Sequence, residues 1–244
     1  MKQEATAAEA LLSPDHPLVA GRTGRGVGIA VIDSGVNLGH PHVGRLASGI
    51  AFDESGRPHG DVVDRLGHGT AVAAAIHEKA PDAEIHIARV FHDALATSVE
   101  ALLAAMDWAL ARGVRLINLS LGTANPESGP PLLEAVECAR RAGAIVVSAR
   151  EGAGRTWYPG SLPGAIGVLL DESCPRDSLR LTPSAEGVVV RASGYPRPIP
   201  GLPPQRNLQG VSFAVANATG LLASVLQDRR DLERLETLLD LPTH

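Results

Sequence analysis

Three short stretches of the 244-residue chain carry residue types that can do chemistry together. Asp33 closes the apolar run GIAVID and is followed by the turn pair Ser34-Gly35. His68 sits in GHGTAVAAAI between Gly67 and Gly69, and Ser212 sits in GVSFAVANATG. A serine hydroxyl is a poor nucleophile near neutral pH. It needs a general base within hydrogen-bond reach, and the base needs a carboxylate to fix its tautomer and stabilise the imidazolium. Each residue alone also has a plainer reading. Asp33 fits a helix cap or a nucleotide-contacting acid, His68 a core histidine, and Ser212 a helix cap. The readings separate on whether the fold brings the three to one place.

The elements that would do so are readable from hydrophobic runs. Strands are expected over 28–33, 84–90, 115–121, 144–149, 165–170 and 187–193, several of them apolar on both faces as buried parallel strands must be. Helices are expected between them. One runs from about 68 to 77, and one follows a capping-box pair, Thr97 and Glu100, and stops at Gly113. Another is opened by Pro130 and Pro131 and closed by Gly143, one starts at Ser212, and a last amphipathic piece covers DLERLETLLDL. This alternation predicts an α/β fold of three layers, a mainly parallel sheet with helices on both faces. In such a sheet functional groups collect at the C-terminal strand ends. The Pro/Gly-rich tract 193–205 reads as a surface loop, and no internal repeat is evident. The expected organisation is one domain over 1–244, with an N-terminal extension at 1–23 and a short helix within 227–244.

Chain order then discriminates. An α/β-hydrolase runs serine, acid, histidine with a G-x-S-x-G elbow, which GVSFA lacks, and a chymotrypsin-like fold runs histidine, aspartate, serine. Asp33, His68, Ser212 is the subtilisin order. The chain resembles the subtilisin-like serine proteases (subtilases) in five blocks that stand in the family's order from Gly24 to about Leu226. VIDSGVNLGHPHV is similar to the aspartate block, GHGTAVA to the histidine block and INLSLG to the substrate-pairing strand. YPGSLPGAIGV is similar to the segment after the oxyanion region, and GVSFAVANATG to the serine block, usually G-T-S-M-A-x-P. The resemblance implies a subtilisin-like fold and peptide-bond hydrolysis. Ser212 would attack the scissile carbonyl, His68 would take and return the proton, and Asp33 would orient His68. Ser120, Leu121 and Gly122 would pair their backbone with an extended peptide or protein substrate as an added strand. Val147, Ser148 and Ala149 would form the facing side of the pocket for the residue before the cleaved bond.

The chain also departs from the pattern. Its VSAREG run places Arg150 where the family's A-A-G-N-E-G block has the oxyanion asparagine, and no Asn occurs between Pro126 and Arg206. Losing one oxyanion donor costs roughly 10²–10³ in turnover, a figure that comes from this family. Arg150 can itself donate, or turn away to pair with an acid such as Glu151. The backbone N–H of Ser212 at its helix start is the other donor. Val211 replaces the threonine before the serine, Ala216 the helix proline, and Ala71 a frequent second histidine. Only HEKAPDA separates the histidine helix from EIHIARV, too short for the calcium loop of many relatives, so no metal and no cofactor are expected. No prodomain is expected either. Compact relatives of this kind are associated with trimming precursor peptides, which makes leader removal the expected role. Two alternatives stay open: a peptide-binding module without turnover, and a transpeptidase in which an amine intercepts the acyl-enzyme.

Bulk composition limits other classes. Hydrophobic residues are 44% and charged residues 20%, ordinary for a soluble globular chain, but aromatics are only 3%, so the core must be Ala, Val, Leu and Ile. The net charge of −5 gives no basic footprint for nucleic acid or an anionic membrane surface. The acid-containing N-terminus lacks a signal-peptide core, and two cysteines fit a reducing compartment, so a cytoplasmic protein is expected. Oligomeric state is not indicated. GRGVG precedes its strand and so fails as a dinucleotide fingerprint. The pairs His40/His42 and His86/His92 lack a third ligand nearby and read as loop or strand histidines. The sequons at Asn118 and Asn217 fall in expected buried elements. Met106 and Trp108 read as helix packing, Arg140 and Arg141 as a solvated helix end. Trp157 and Tyr158 flank the expected pocket and fit either pocket or core.

Overall fold

The apolar runs at 28–33, 84–89, 116–119 and 145–149 assemble into one sheet because each buries both faces. In this computed structural model, which describes residues 10–152, 154–184 and 187–228, nine strands join in that sheet. In chain order they are β1 (Ala10–Leu12), β2 (Gly28–Asp33), β3 (Leu46–Ala51), β4 (Glu84–Arg89), β5 (Leu116–Leu119) and β6 (Ile145–Ala149). A two-stranded hairpin, β7 (Glu151–Gly152) with β8 (Arg155–Thr156), stands apart from the sheet. The sheet continues with β9 (Ile166–Leu170), β10 (Leu179–Ser184) and β11 (Gly187–Ala192). Its order is β1-β10-β11-β9-β6-β5-β2-β4-β3. From β11 to β3 every pair is parallel, while β10 is antiparallel to both β1 and β11.

β1, β3 and β10 are absent from the sequence expectation. β3 (LASGIA) alternates between half-buried and exposed at the sheet edge, so it has no sustained apolar run. β10 (LRLTPS) carries Arg180 and Pro183, and β1 has three residues. The expected helix over 231–241 lies outside the described residues.

Period-two alternation splits the core between the faces. Ile29 and Val31 of β2 face one cluster, packed with α1 (His68–Lys79) and α4 (Val211–Val225). Ala30 and Ile32 face the other, packed with α2 (Val99–Leu110) and α3 (Gly129–Arg141). Met106 and Trp108 lie in this second cluster. α1 and α4 approach closely through small residues; a methyl on Gly220 would stand 2.9 Å from Lys79 Cβ.

Two local expectations are corrected. α2 is capped by Ser98, whose Oγ accepts from Ala101 N at 3.0 Å, not by Thr97. Ser98 is the residue with extended backbone, and the one-residue shift takes Glu100 out of capping-box position. At the end of α3, Arg141 is exposed but the stem of Arg140 packs beside Gly164.

Candidate active site

Because β2, β5 and β6 run parallel, their C-terminal ends share one edge of the sheet. Asp33 ends β2 and is fully buried, and His68 is the first residue of α1. His68 Nδ1 donates to Asp33 Oδ1 at 2.7 Å, and the same oxygen accepts the Ser34 amide at 2.7 Å. A carboxylate can only accept, so the neutral ring keeps its lone pair on Nε2, where a base needs it. Glycine makes the approach of α1 to the β2 turn feasible, since a methyl on Gly69 would overlap the Gly35 carbonyl.

A second carboxylate, not singled out by the sequence, holds this corner. Asp64 is buried and accepts from Ser34 Oγ (2.9 Å), Leu66 N (3.0 Å), Gly67 N (2.8 Å), Thr70 N (2.8 Å) and Thr70 Oγ1 (2.6 Å). It caps α1, whose N-cap Gly67 has no side chain to do so. Ser34 Oγ in turn accepts the Gly69 amide at 2.8 Å. The available signal was an acid four residues ahead of a Gly-flanked helix start. Burial pushes Asp64 up, but the hydrogen bonds from Thr70, Ser34 and Gly67 outweigh it and hold its carboxyl below the usual value. Burial pushes the His68 imidazole down; its bond to Asp33 and the charges of Asp33 and Asp64 prevail, leaving its pKa raised.

Ser212 is not a cap. The N-cap of α4 is Gly210, and Ser212 occupies the second helical position. Its Oγ donates to the Ser120 carbonyl at 2.9 Å, not to His68. Ser120 Oγ donates back to the Ser212 carbonyl at 3.3 Å and accepts from Asn118 Nδ2 at 2.8 Å, while Asn118 Oδ1 accepts from Thr219 Oγ1 at 2.9 Å. This buried chain ties the start of α4 to the end of β5. The Phe213 ring lies 5.5 Å from the His68 ring, centroid to centroid, so the serine turn and the imidazole are neighbours. The structure thus bonds Asp33 to His68 and brings the ring of Phe213, the next residue after Ser212, up to the imidazole, while the Ser212 hydroxyl is bonded to the chain after β5.

Ser120, Leu121 and Gly122 extend beyond the paired part of β5. Val147, Ser148 and Ala149 are fully buried in β6, and Ser148 Oγ donates to the Leu121 carbonyl at 3.0 Å. Their side chains serve the core, so only backbone is left there for a ligand. Arg150 donates its amide to Val168 O at 3.0 Å and accepts at its carbonyl from Trp157 N at 2.9 Å. Its stem passes over Gly167 of β9, on the far side of β6 from β5. In α4 the Phe213 amide already donates to the Gly210 carbonyl at 3.1 Å, so the amides of Val211 and Ser212 are the ones that have no acceptor within the helix by position and suit an anion.

Among the described residues, no group of three or more His, Cys, Asp or Glu is placed to hold a metal. His86 Nδ1 bonds Ser48 Oγ at 2.7 Å, and His92 donates to the Phe52 carbonyl at 2.7 Å. His40 and His42 meet edge-on and help line a cavity of about 250 Å³ beside Gly67 and Thr70, with Arg197 and Leu208 also in its lining. Both cysteines are free thiols, and Asn118 and Asn217 are fully buried.

Known proteins are similar to this chain in sequence and fold. The subtilase family (peptidase S8) matches residues 24–169. M-protease of Shouchella clausii (strain KSM-K16) is 32% identical over 219 residues, 85% of this chain, and the chain spans only 56% of that relative's length. A cold-adapted subtilisin-like serine proteinase superposes with a TM-score of 0.69 at 24% identity, covering 90% of this chain and 82% of the other. The prenylagaramide maturation protease PagA superposes with a TM-score of 0.62 at 24% identity, covering 85% and 77%. The sheet with its two helix layers is the three-layer α/β subtilisin fold. With that architecture, the matched profile and a relative at 32% identity, the chain belongs to the subtilase family.

Proposed function

We propose that this subtilase is a serine endopeptidase that acts through an acyl-enzyme on Ser212 and matures a precursor peptide. The observation that carries the reading is the 2.7 Å bond from His68 to the fully buried Asp33, next to the helix turn that presents Ser212. Rotation of the serine about χ1 exchanges the Ser120 carbonyl for His68 Nε2, a tightening common when substrate binds. Ser212 Oγ then attacks the carbonyl carbon as its proton passes to His68. The imidazolium, stabilised by Asp33 and Asp64, returns that proton to the leaving amine, and water releases the acyl group by the same route. The oxyanion faces the α4 amides. The peptide lies extended along Ser120–Gly122, and its leaving portion reaches toward the cavity beside His40 and Leu208. Likeness to PagA, a maturation protease, supports a precursor-peptide substrate.

A second reading is a binding module without turnover. Arg150 at the oxyanion position and the Ser212 hydroxyl's bond to Ser120 favour it. A fluorophosphonate decides between them. Labelling of the native protein at Ser212, lost in Ser212→Ala and His68→Ala, is the expected result; a well-folded native chain that resists the reagent leaves the binding module.

A further inference from the structure

We propose that Trp157 fills the acyl-side specificity pocket, so that the residue preceding the cleaved bond must be glycine or alanine. This rests on the reading of Ser212 as the acylated nucleophile. The pocket for that residue has backbone on two sides: the segment after β5 with Gly122, and the segment after β6 running through Arg150 to Gly152. The indole lies across the gap between them. A methyl on Gly122 would stand 2.8 Å from Trp157 Cε3 and 3.0 Å from its Cβ; a methyl on Gly152 would overlap Cζ2 and stand 2.7 Å from Cε2. Two residues thirty apart in sequence are thus held to glycine by the same ring, one at each wall.

The ring is fixed from behind. Trp157 N donates to the Arg150 carbonyl at 2.9 Å, and Tyr158 exchanges two bonds with Thr123, at 2.8 and 3.0 Å. The segment 157–158 therefore bridges the chain after β6 to the chain after β5, and the half-buried indole also packs against the core on the α1/α4 face. An indole packed against the core and between two glycines, on a segment tied to both neighbouring backbones, does not swing out as a lid. A substrate glycine needs no side-chain space, and an alanine needs room for one methyl. A leucine or phenylalanine requires the volume that the indole holds, and close-packed interiors yield little.

The test uses two peptidyl diphenyl phosphonates alike except for the group standing for the residue before the scissile bond, hydrogen in one (glycine analogue) and benzyl in the other (phenylalanine analogue). The full chain, Trp157→Gly and Trp157→Leu are compared by labelling rate, with site assignment by mass spectrometry and thermal melts as the folding control. The native protein should react at Ser212 with the glycine analogue about 100-fold faster than with the benzyl one, as steric exclusion should exceed the effect of a single methylene. That ratio should fall by at least about tenfold in whichever variant melts cooperatively, and most in Trp157→Gly if it folds. Comparable native labelling by both probes overturns the proposal, as does an unchanged ratio in a folded variant. Native protein that is well folded and labelled by neither probe overturns the Ser212 reading itself, a separable outcome.

Discussion

The two sides of the candidate site are built by different means. On the acid–base side, Asp33, Ser34, Asp64, His68 and Thr70 form a closed hydrogen-bond set whose members all lie between β2 and the first turn of α1. On the acyl side, the backbone of Arg150 and Trp157 is tied to neighbouring segments, the Arg150 stem lies over Gly167, and the indole packs between Gly122 and Gly152. The first side meets the requirement of any acyl transfer, a positioned base of defined tautomer. The second, on the proposed function, would set which peptide fits. A family can alter the second freely, because backbone bonds do not specify side chains, whereas each exchange on the first strands a buried partner.

The sharpest break between the sides is His68→Ala, which should lower kcat roughly 10⁶-fold, the scale of losing a triad member that acts as a unit with its serine. Steady-state kinetics on a peptide with glycine before the bond would measure it. Asp64→Ala should come next. It strands donors on Ser34, Gly67 and Thr70, at about 3 kcal/mol of stability in chemical denaturation. Asp64→Asn keeps the shape and removes the charge, with an amide donor set against the donors on one of the two oxygens. Catalysis needs neutral His68, so the rate falls as pH drops through its raised pKa; removing a charge that raises it must move the acid limb of kcat/KM to lower pH. The stability signs are opposite for the two groups. Asp64's contribution is present above its unfolded value and lost as pH falls through the lowered folded one. That of His68 is complete below its unfolded value and lost as pH rises through the raised one.

On the acyl side, Arg150→Asn should increase kcat by about tenfold if the shorter side chain, freed of the stem that runs over Gly167, turns its amide toward the oxyanion. A decrease would mark Arg150 as an adapted donor and erase the contrast between a retained half and a rebuilt one.

Legibility in the sequence follows the same division. β2 and β6 were readable because a strand buried on both faces must be an apolar run, and Asp33 and His68 because their glycine neighbours mark tight approaches. β3 was not, since an edge strand needs only one covered face, and LASGIA shows no such run. Thr97 and Ser98 can both cap α2, and only backbone angles choose between them. Trp157 was ambiguous between pocket and core because its partners, Gly122 and Gly152, are identified by contact, not by spacing. Asn118 read as a chance sequon, yet it links Thr219 to Ser120, a relation across 101 residues that no local pattern carries.

That link supplies the smallest test, since it is where the two sides join at the nucleophile. Thr219→Val keeps the shape of the α4 side chain and removes the donor to Asn118 Oδ1, a fully buried acceptor. Thr219 Oγ1 also lies 2.9 Å from the Val215 carbonyl, which keeps its own helical partner, so the loss falls mainly on Asn118. The expected cost is about 1 kcal/mol in denaturant unfolding, with a modest fall in kcat as the Asn118 amide loosens on Ser120. A double-mutant cycle with Ser120→Ala separates packing from relay. Coupling of at least about 0.5 kcal/mol is expected if the bonds act as one chain. Strict additivity would mean that α4 is placed by its apolar contacts alone, and that Ser212 owes its position to the core of the fold and not to the polar thread through β5.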